Sequence, residues 1–281
     1  MNLFSRRLQL VYTVAIVVAV FSVPMSTNAS IMDFNTWTIV EDPPNANFTS
    51  SVDSTSQVTL SATGSSIPSG TDIGYKSIDG VDVNNSSSGW AFDPAFDFAV
   101  AVDFDLTFAS AIGGFSIGMG IGEDDDGTDS VGVILASMNG GLLTFAGAAR
   151  DGNSPLSPVA VPVGGTTTGR FIVSYVASNG NVSVGVSTDG DDTPEGTGSF
   201  LGVQDFWDDE LLMVSFFARG DNGVFNWSSG TADAIFSDFH VISGTPLDVS
   251  QISAVPEPAS WLLGGIGLLV LCAYGWRSRD A

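Results

Sequence analysis

Cysteine, histidine and basic side chains are nearly missing from this 281-residue chain, in which one Cys, one His and eight Lys plus Arg stand against 31 Asp plus Glu. The single cysteine, Cys272, lies in an apolar C-terminal run, so the rest of the chain has no disulfide available and must be held by core burial. A lone histidine, His240, removes the usual zinc ligand sets and is the only base that a Ser-His-Asp triad could use. Between residues 30 and 258, four basic residues (Lys76, Arg150, Arg170, Arg219) face thirty acidic ones, a formal charge of −26. Nucleic-acid binding rests on Lys and Arg neutralising phosphates, and this balance excludes it.

What is present begins with two targeting segments. Arg6 and Arg7 precede an apolar run over residues 8–23, and Ser26, Thr27, Asn28 and Ala29 follow. This is the layout of a secretory signal peptide, with cleavage expected after Ala29; an uncleaved anchor would export the chain equally. At the other end, residues 259–276 carry no charge and at ~1.5 Å per residue would reach ~27 Å, close to the hydrocarbon thickness of a bilayer. Trp261 and Trp276 stand at its edges, and Arg277 and Arg279 follow as cytoplasmic positive charges. Cys272 reads most simply as a small apolar residue of that span.

Immediately before the span stand Pro256, Glu257 and Pro258. Pro-Glu-Pro, an apolar helix and a short basic terminus together resemble the PEP-CTERM sorting signal of Gram-negative and related bacteria. Family tails often end in a denser Arg cluster, whereas here two Arg remain beside Asp280. The resemblance implies recognition by an exosortase, removal of the tail, and delivery to the outer surface or the exopolysaccharide matrix. An ordinary C-terminal anchor behind a proline linker is the plainer alternative.

The exported part is expected to be all-β. Apolar and polar residues alternate with period two, and Gly, Asn, Asp and Ser clusters separate the runs. The strongest run covers residues 96–108, with Phe96, Phe98, Val100, Val102, Phe104 and Leu106 on one face and Asp97, Ala99, Ala101, Asp103 and Asp105 on the other. In residues 115–121 the outer positions are Ser116, Gly118 and Gly120, which leaves room for a ligand or for close packing of another strand or loop. Further strands are predicted at 131–137, 142–148, 170–177, 182–187, 211–219 and 232–242, with edge strands near 37–40 and 57–61. Asn179-Gly180 marks a hairpin turn. The count suits a two-sheet antiparallel sandwich. The 96–104, 114–120, 170–186 and 236–241 segments together resemble a concanavalin A-like (laminin-G-like) jelly roll, although other β-sandwiches fit the same pattern. The resulting division is a signal peptide at 1–29, a sandwich at 30–243, a linker with the Pro-Glu-Pro motif at 244–258, and a transmembrane sorting tail at 259–281.

Three sets of residues could carry chemistry. Asp103 and Asp105 sit ~7 Å apart on one strand face, near enough for a carboxylate pair, with Asp97 farther along. Glycosidases that share the resembled fold present Glu-x-Asp-x-x-Glu or Glu-x-Asp-x-Glu there, and this chain has no Glu in the run. An exposed polar face is therefore the preferred reading. Hard oxygen ligands for calcium cluster in two loops, one with Asp124, Asp126 and Asp129 and the other with Asp189 and Asp191, neither in EF-hand register. Solvated turns are the alternative for both. Of Trp37, Trp90, Trp207 and Trp227, Trp207 beside Asp205, Asp208 and Asp209 is the expected glycan contact, against a default of burial for large aromatics. His240 is expected to form a surface pair with Asp238 on its own strand. These features point to an exported, non-catalytic surface or matrix protein associated with extracellular polysaccharide and processed by an exosortase. The competing function is a polysaccharide hydrolase or lyase using Asp103 and Asp105.

Overall fold

In a computed structural model of the chain, the described residues are 31–253 apart from 65, 66, 69, 109–113, 125, 126, 138–141, 153, 208, 209 and 221–229. Both segments read as targeting signals, the Pro256-Glu257-Pro258 motif, Cys272, Trp227 and Asp126 lie outside them.

Alternating side chains build strands here because each strand buries one row and solvates the other. The strands are β1 (Thr38–Asp42), β2 (Phe48–Ser54), β3 (Gln57–Gly64), β4 (Asp72–Lys76), β5 (Trp90–Ala91) and β6 (Phe98–Phe108). They continue with β7 (Ser116–Gly122), β8 (Ser130–Ser137), β9 (Leu143–Asp151), β10 (Ser154–Pro155), β11 (Val159–Ala160) and β12 (Thr168–Val176). The last are β13 (Asn181–Ser187), β14 (Gly196–Phe200), β15 (Met213–Arg219), β16 (Gly230–Ser243) and β17 (Leu247–Asp248), followed by the single α-helical turn among the described residues, α1 (Val249–Ser253).

One sheet runs β1-β4-β15-β7-β8-β9-β10, with β11 also on β9; the other runs β14-β13-β12-β6-β16-β3-β2. Every pairing is antiparallel. We call them sheet A and sheet B. Their inner faces meet in one apolar core, to which β7, β8 and β15 bring Ile117, Met119, Val133 and Phe216, while β6, β12 and β16 bring Val102, Phe104, Phe171 and Phe236. At one end of the sandwich Trp37 packs against Phe34, Trp90, Phe216 and Phe239 with ring centroids 5.0–5.5 Å apart, mostly edge to face. Its indole N–H donates to the Ile31 carbonyl, so this large ring is buried without an orphaned polar atom.

The two-sheet sandwich was legible in the alternation, but several details differ. Phe96 is 68% exposed rather than in the core. Asp93 accepts from the Ala95 N–H and its carbonyl accepts from the Phe96 N–H, a turn that delays the strand until Phe98. The hairpin at residues 177–180 is a four-residue loop in which Gly180, not Asn179, takes positive φ. In β16 the register shifts between Ser237 and His240, with Asp238 at φ 52°. This bulge moves the buried row from Ala232, Ala234 and Phe236 to Phe239. His240 and Asp238 are therefore not a simple same-face pair, and the imidazole Nδ1 instead lies 2.8 Å from the Asp238 carbonyl oxygen.

β2, β4 and β14 have no counterpart in the sequence prediction. The first and last are edge strands of Ser, Thr and Gly with weak apolar alternation, and β4 is a five-residue strand buried between β1 and β15. The segment read as a linker begins inside the fold: Leu247 and Asp248 pair with Ala91 and Trp90, and Val249 is buried with its N–H on the Gly89 carbonyl.

Candidate functional site

The outer face of sheet B holds Asp103 and Asp105. Cross-strand register sets Arg170 of β12 opposite Asp103 of β6, and the guanidinium engages that carboxylate twice, Nε to Oδ1 at 2.6 Å and Nη2 to Oδ2 at 3.2 Å. Nη1 reaches Asp192 Oδ1 at 2.7 Å, and His240 Nε2 lies 2.9 Å from the same oxygen. Burial alone would raise the Asp192 carboxyl, but hydrogen bonds from His240 and Arg170 outweigh it and hold the group below its usual range. The Asp103 bond, opposed by burial and helped by the nearby charges, pushes the guanidinium up. Asp103 is thus spent on an ion pair, while Asp105, opposite Thr168, is exposed.

The acidic loops are ordered by their own polar groups. Asp124 accepts from the Thr128 N–H and hydroxyl, and Thr128 Oγ1 also lies 3.5 Å from Asp129 Oδ2, so the two carboxylates converge on one hydroxyl. Asp129 Oδ1 accepts the Gly152 N–H at 2.7 Å. Asp189 takes the Asp191 N–H and the Ser187 hydroxyl, which hold its carboxyl below the ordinary value, and Asp191 takes the Thr193 N–H. Among the described residues no group of three His, Cys, Asp or Glu converges as metal ligands would.

Trp207 does not present a sugar platform. It is 4% exposed and packs edge to face on Tyr175 at 5.3 Å, because the 3-10 turn Val203–Phe206 tucks the following residue under the sandwich edge. Trp37 and Trp90 are buried as well.

Concavity lies on the outer face of sheet A. Register places side chains there in rows that cross the strands. One row from β4 to β9 reads Lys76, Ser215, Gly120, Gly132 and Ala148, and between β15 and β9 nothing in it is larger than serine. Beside it stand Met213, Gly122, Ser130 and Arg150; on its other side stand Gly74, Phe217, Gly118, Ile134 and Ala146. The result is a groove of about 280 Å³. Three interstrand steps of ~4.8 Å make the small-residue part of the row ~14 Å long.

The glycines serve two ends. A Cβ on Gly118 would lie 2.9 Å from the Phe217 ring, so that glycine is covered by an aromatic, whereas Gly120 and Gly132 face each other across β7 and β8 in the groove floor. Close packing and open space, the two alternatives for the 115–121 run, occur side by side.

Three of the four cations between residues 30 and 258 line this groove: Lys76, Arg150 and Arg219. Lys76 is buried with Nζ donating to the Gly80 carbonyl, and Arg219 Nη2 lies 3.2 Å from Asp72 Oδ2. Sequence reasoning reached only the Gly120 part of this site, through the 115–121 run, because its other residues come from separate strands and form no local motif. It also missed that Gly114-Phe115-Ser116-Ile117-Gly118 matches the letters of a Gly-x-Ser-x-Gly nucleophile elbow. Ser116 is buried at the start of a strand on sheet A, with His240 on sheet B, so the strand-to-helix turn and the adjacent base that such an elbow requires are both lacking there.

Residues 254–279 match the PEP-CTERM protein-sorting motif, which implies an exported protein that transits the membrane and is processed by an exosortase. None of the curated proteins matches the chain. Among solved structures, the legume lectin-like domain from Entamoeba histolytica is similar with a TM-score of 0.47 at 10% identity, covering 70% of this chain and 90% of that one. An alginate lyase from Klebsiella pneumoniae gives 0.46 at 12% identity, covering 77% and 98%. Arcelin-5, a lectin-like defense protein from Phaseolus vulgaris, gives 0.40 at 11%, covering 73% and 93%. These likenesses concern the lectin-like jelly-roll fold alone.

Proposed function

We propose that this protein is released from its C-terminal tail by an exosortase and kept at the cell surface or in the extracellular matrix, where it holds polysaccharide non-catalytically in the groove of sheet A. The groove's shape carries the reading. A trough that crosses strands on a floor of glycine and alanine accepts an extended polymer rather than a compact ligand. The half-buried Phe217 ring offers a face to sugar C–H groups, and Ser130 and Ser215 offer hydroxyls. The hydrolase or lyase alternative has less support, since Asp103 is ion-paired and lies with Asp105 on the opposite sheet.

Binding is tested with the full-length chain in detergent on a glycan array and by pull-down of matrix polysaccharide, with and without calcium. Retention of at least one polysaccharide, weakened in Phe217→Ala, is expected; blank results in every arm remove the binding role. Glycan cleavage that disappears in Asp103→Asn would replace the non-catalytic reading with the enzymatic one. For the tail, intact mass of the surface-recovered protein should show the loss of Cys272 and everything after the Pro256-Glu257-Pro258 region. A protein still ending at Ala281 is an ordinary anchored protein.

A further inference from the structure

Arg150 differs from the other three cations of the exported part. Lys76 donates to a backbone carbonyl, Arg170 to Asp103 and Asp192, and Arg219 to Asp72. Arg150 is half-buried at the groove's edge and, among the described residues, makes no ion pair or side-chain hydrogen bond. Among the described residues no carboxylate pairs with it, in a segment where acids outnumber bases thirty to four. Among the described residues, the acids that line the same groove are engaged or distant. Asp124 is held by Thr128, Asp72 by Arg219, and Asp42 lies on β1, five interstrand steps or ~24 Å away.

From this juxtaposition, and resting on the polysaccharide reading above, we infer that the groove recognises a carboxylate: its ligand is a linear, mostly neutral polysaccharide with widely spaced uronate units, one of which pairs with Arg150. A guanidinium presents planar, paired N–H donors, and a uronate carboxylate, like a sulfate or phosphate ester, accepts two of them in parallel. Partial burial strengthens that pair relative to one in bulk water. The rest of the molecule restricts charge density. A net −26 repels a polymer charged on every unit, whereas an isolated carboxylate at Arg150 is screened from more distant acids over a Debye length of ~8 Å at physiological ionic strength. The small-residue row leaves the neutral units between carboxylates in contact with the floor and with Phe217.

The test is calorimetry on the full-length chain in detergent with three probes: gellan, a linear glycan with one uronate per repeat; its carboxyl-reduced form; and polygalacturonate. Gellan should bind at least ~10-fold more tightly than reduced gellan, the scale of one charge-assisted hydrogen-bonded pair. It should also bind more tightly than polygalacturonate at low salt. Arg150→Gln should bring gellan down to the reduced form while leaving the reduced form unchanged, and Arg150→Lys should restore part of the difference. Exposed Asp105→Asn on sheet B should alter neither affinity. Equal binding of gellan and reduced gellan by the unaltered chain overturns carboxylate recognition and leaves polysaccharide binding standing. So does a preference that survives Arg150→Gln. Failure of all three probes to bind counts against the inference and the groove's proposed function together. Polygalacturonate binding tightest at low salt would overturn the claim of sparse charge.

Discussion

Asp103→Asn should lower stability, not remove an activity. Arg170 has a side chain 12% exposed and Asp103 one 30% exposed, so their pair lies between a surface ion pair, worth ~0–1 kcal/mol, and a buried one, whose disruption costs ~3–5 kcal/mol. Asparagine keeps the shape and one acceptor but loses the charge, and Asp192, 43% exposed, continues to neutralise the guanidinium. We expect a loss of ~1–2 kcal/mol for Asp103→Asn and ~2–3 kcal/mol for Asp103→Ala, where an acceptor disappears altogether. Urea unfolding read by tryptophan fluorescence at pH 7 measures both, and a cycle with Arg170→Met should return a coupling of ~1–2 kcal/mol because the groups touch directly. The pH dependence has a defined sign. The Asp192 carboxyl is lowered from 3.8 in the folded state, so its contribution is complete above that value and is lost as the pH falls through the folded pKa. A deficit caused by Asp192→Asn should therefore be present at neutral pH and shrink under stronger acid. Coupling indistinguishable from zero at pH 7 would refute the assignment of this cluster as a structural clasp.

Trp37→Ala removes a buried ring that touches four others and should cost ~3–5 kcal/mol, seen as a lower urea midpoint with loss of near-ultraviolet circular dichroism. Gly132→Ala should destabilise by ~1 kcal/mol or more, since its Cβ would lie 2.6 Å from the Met119 carbonyl oxygen, whereas Gly164→Ala, with nothing within 4 Å, should be neutral or stabilise by ~0.4–1 kcal/mol. Equal thermal midpoints for these two variants would refute the close approach of β7 and β8. Calcium is proposed for the loop in which Asp124 and Asp129 converge on Thr128: millimolar calcium at matched ionic strength should raise the thermal midpoint above that in chelator, and equal midpoints remove calcium from the account.

Period-two alternation located the strands that supply most of the core, because a strand's in-out pattern is written locally in residues such as Val100, Val102 and Phe104. It failed where locality fails. Phe96 continues the apolar alternation, yet the Asp93 turn takes it out of the strand. The bulge at Asp238 shifts the buried row by one residue, and edge strands such as β2 have too few apolar positions to announce themselves.

The sequence alone determined the C-terminal sorting motif, the absence of disulfides from residues 30–258, the acidic excess and the all-β class, since each depends on composition or on neighbours along the chain. Tertiary structure decided which side chains meet. Arg170 reaches Asp103 across 67 positions and His240 reaches Asp192 across 48, and the groove floor joins Ser215, Gly120, Gly132 and Ala148 from four strands. The same long-range packing buried Trp207 and left Arg150 at a groove edge without a partner among the described residues. Such contacts are set by strand order and cross-strand register, which follow from where the whole chain reverses and how two sheets share one core, and no local window contains that information.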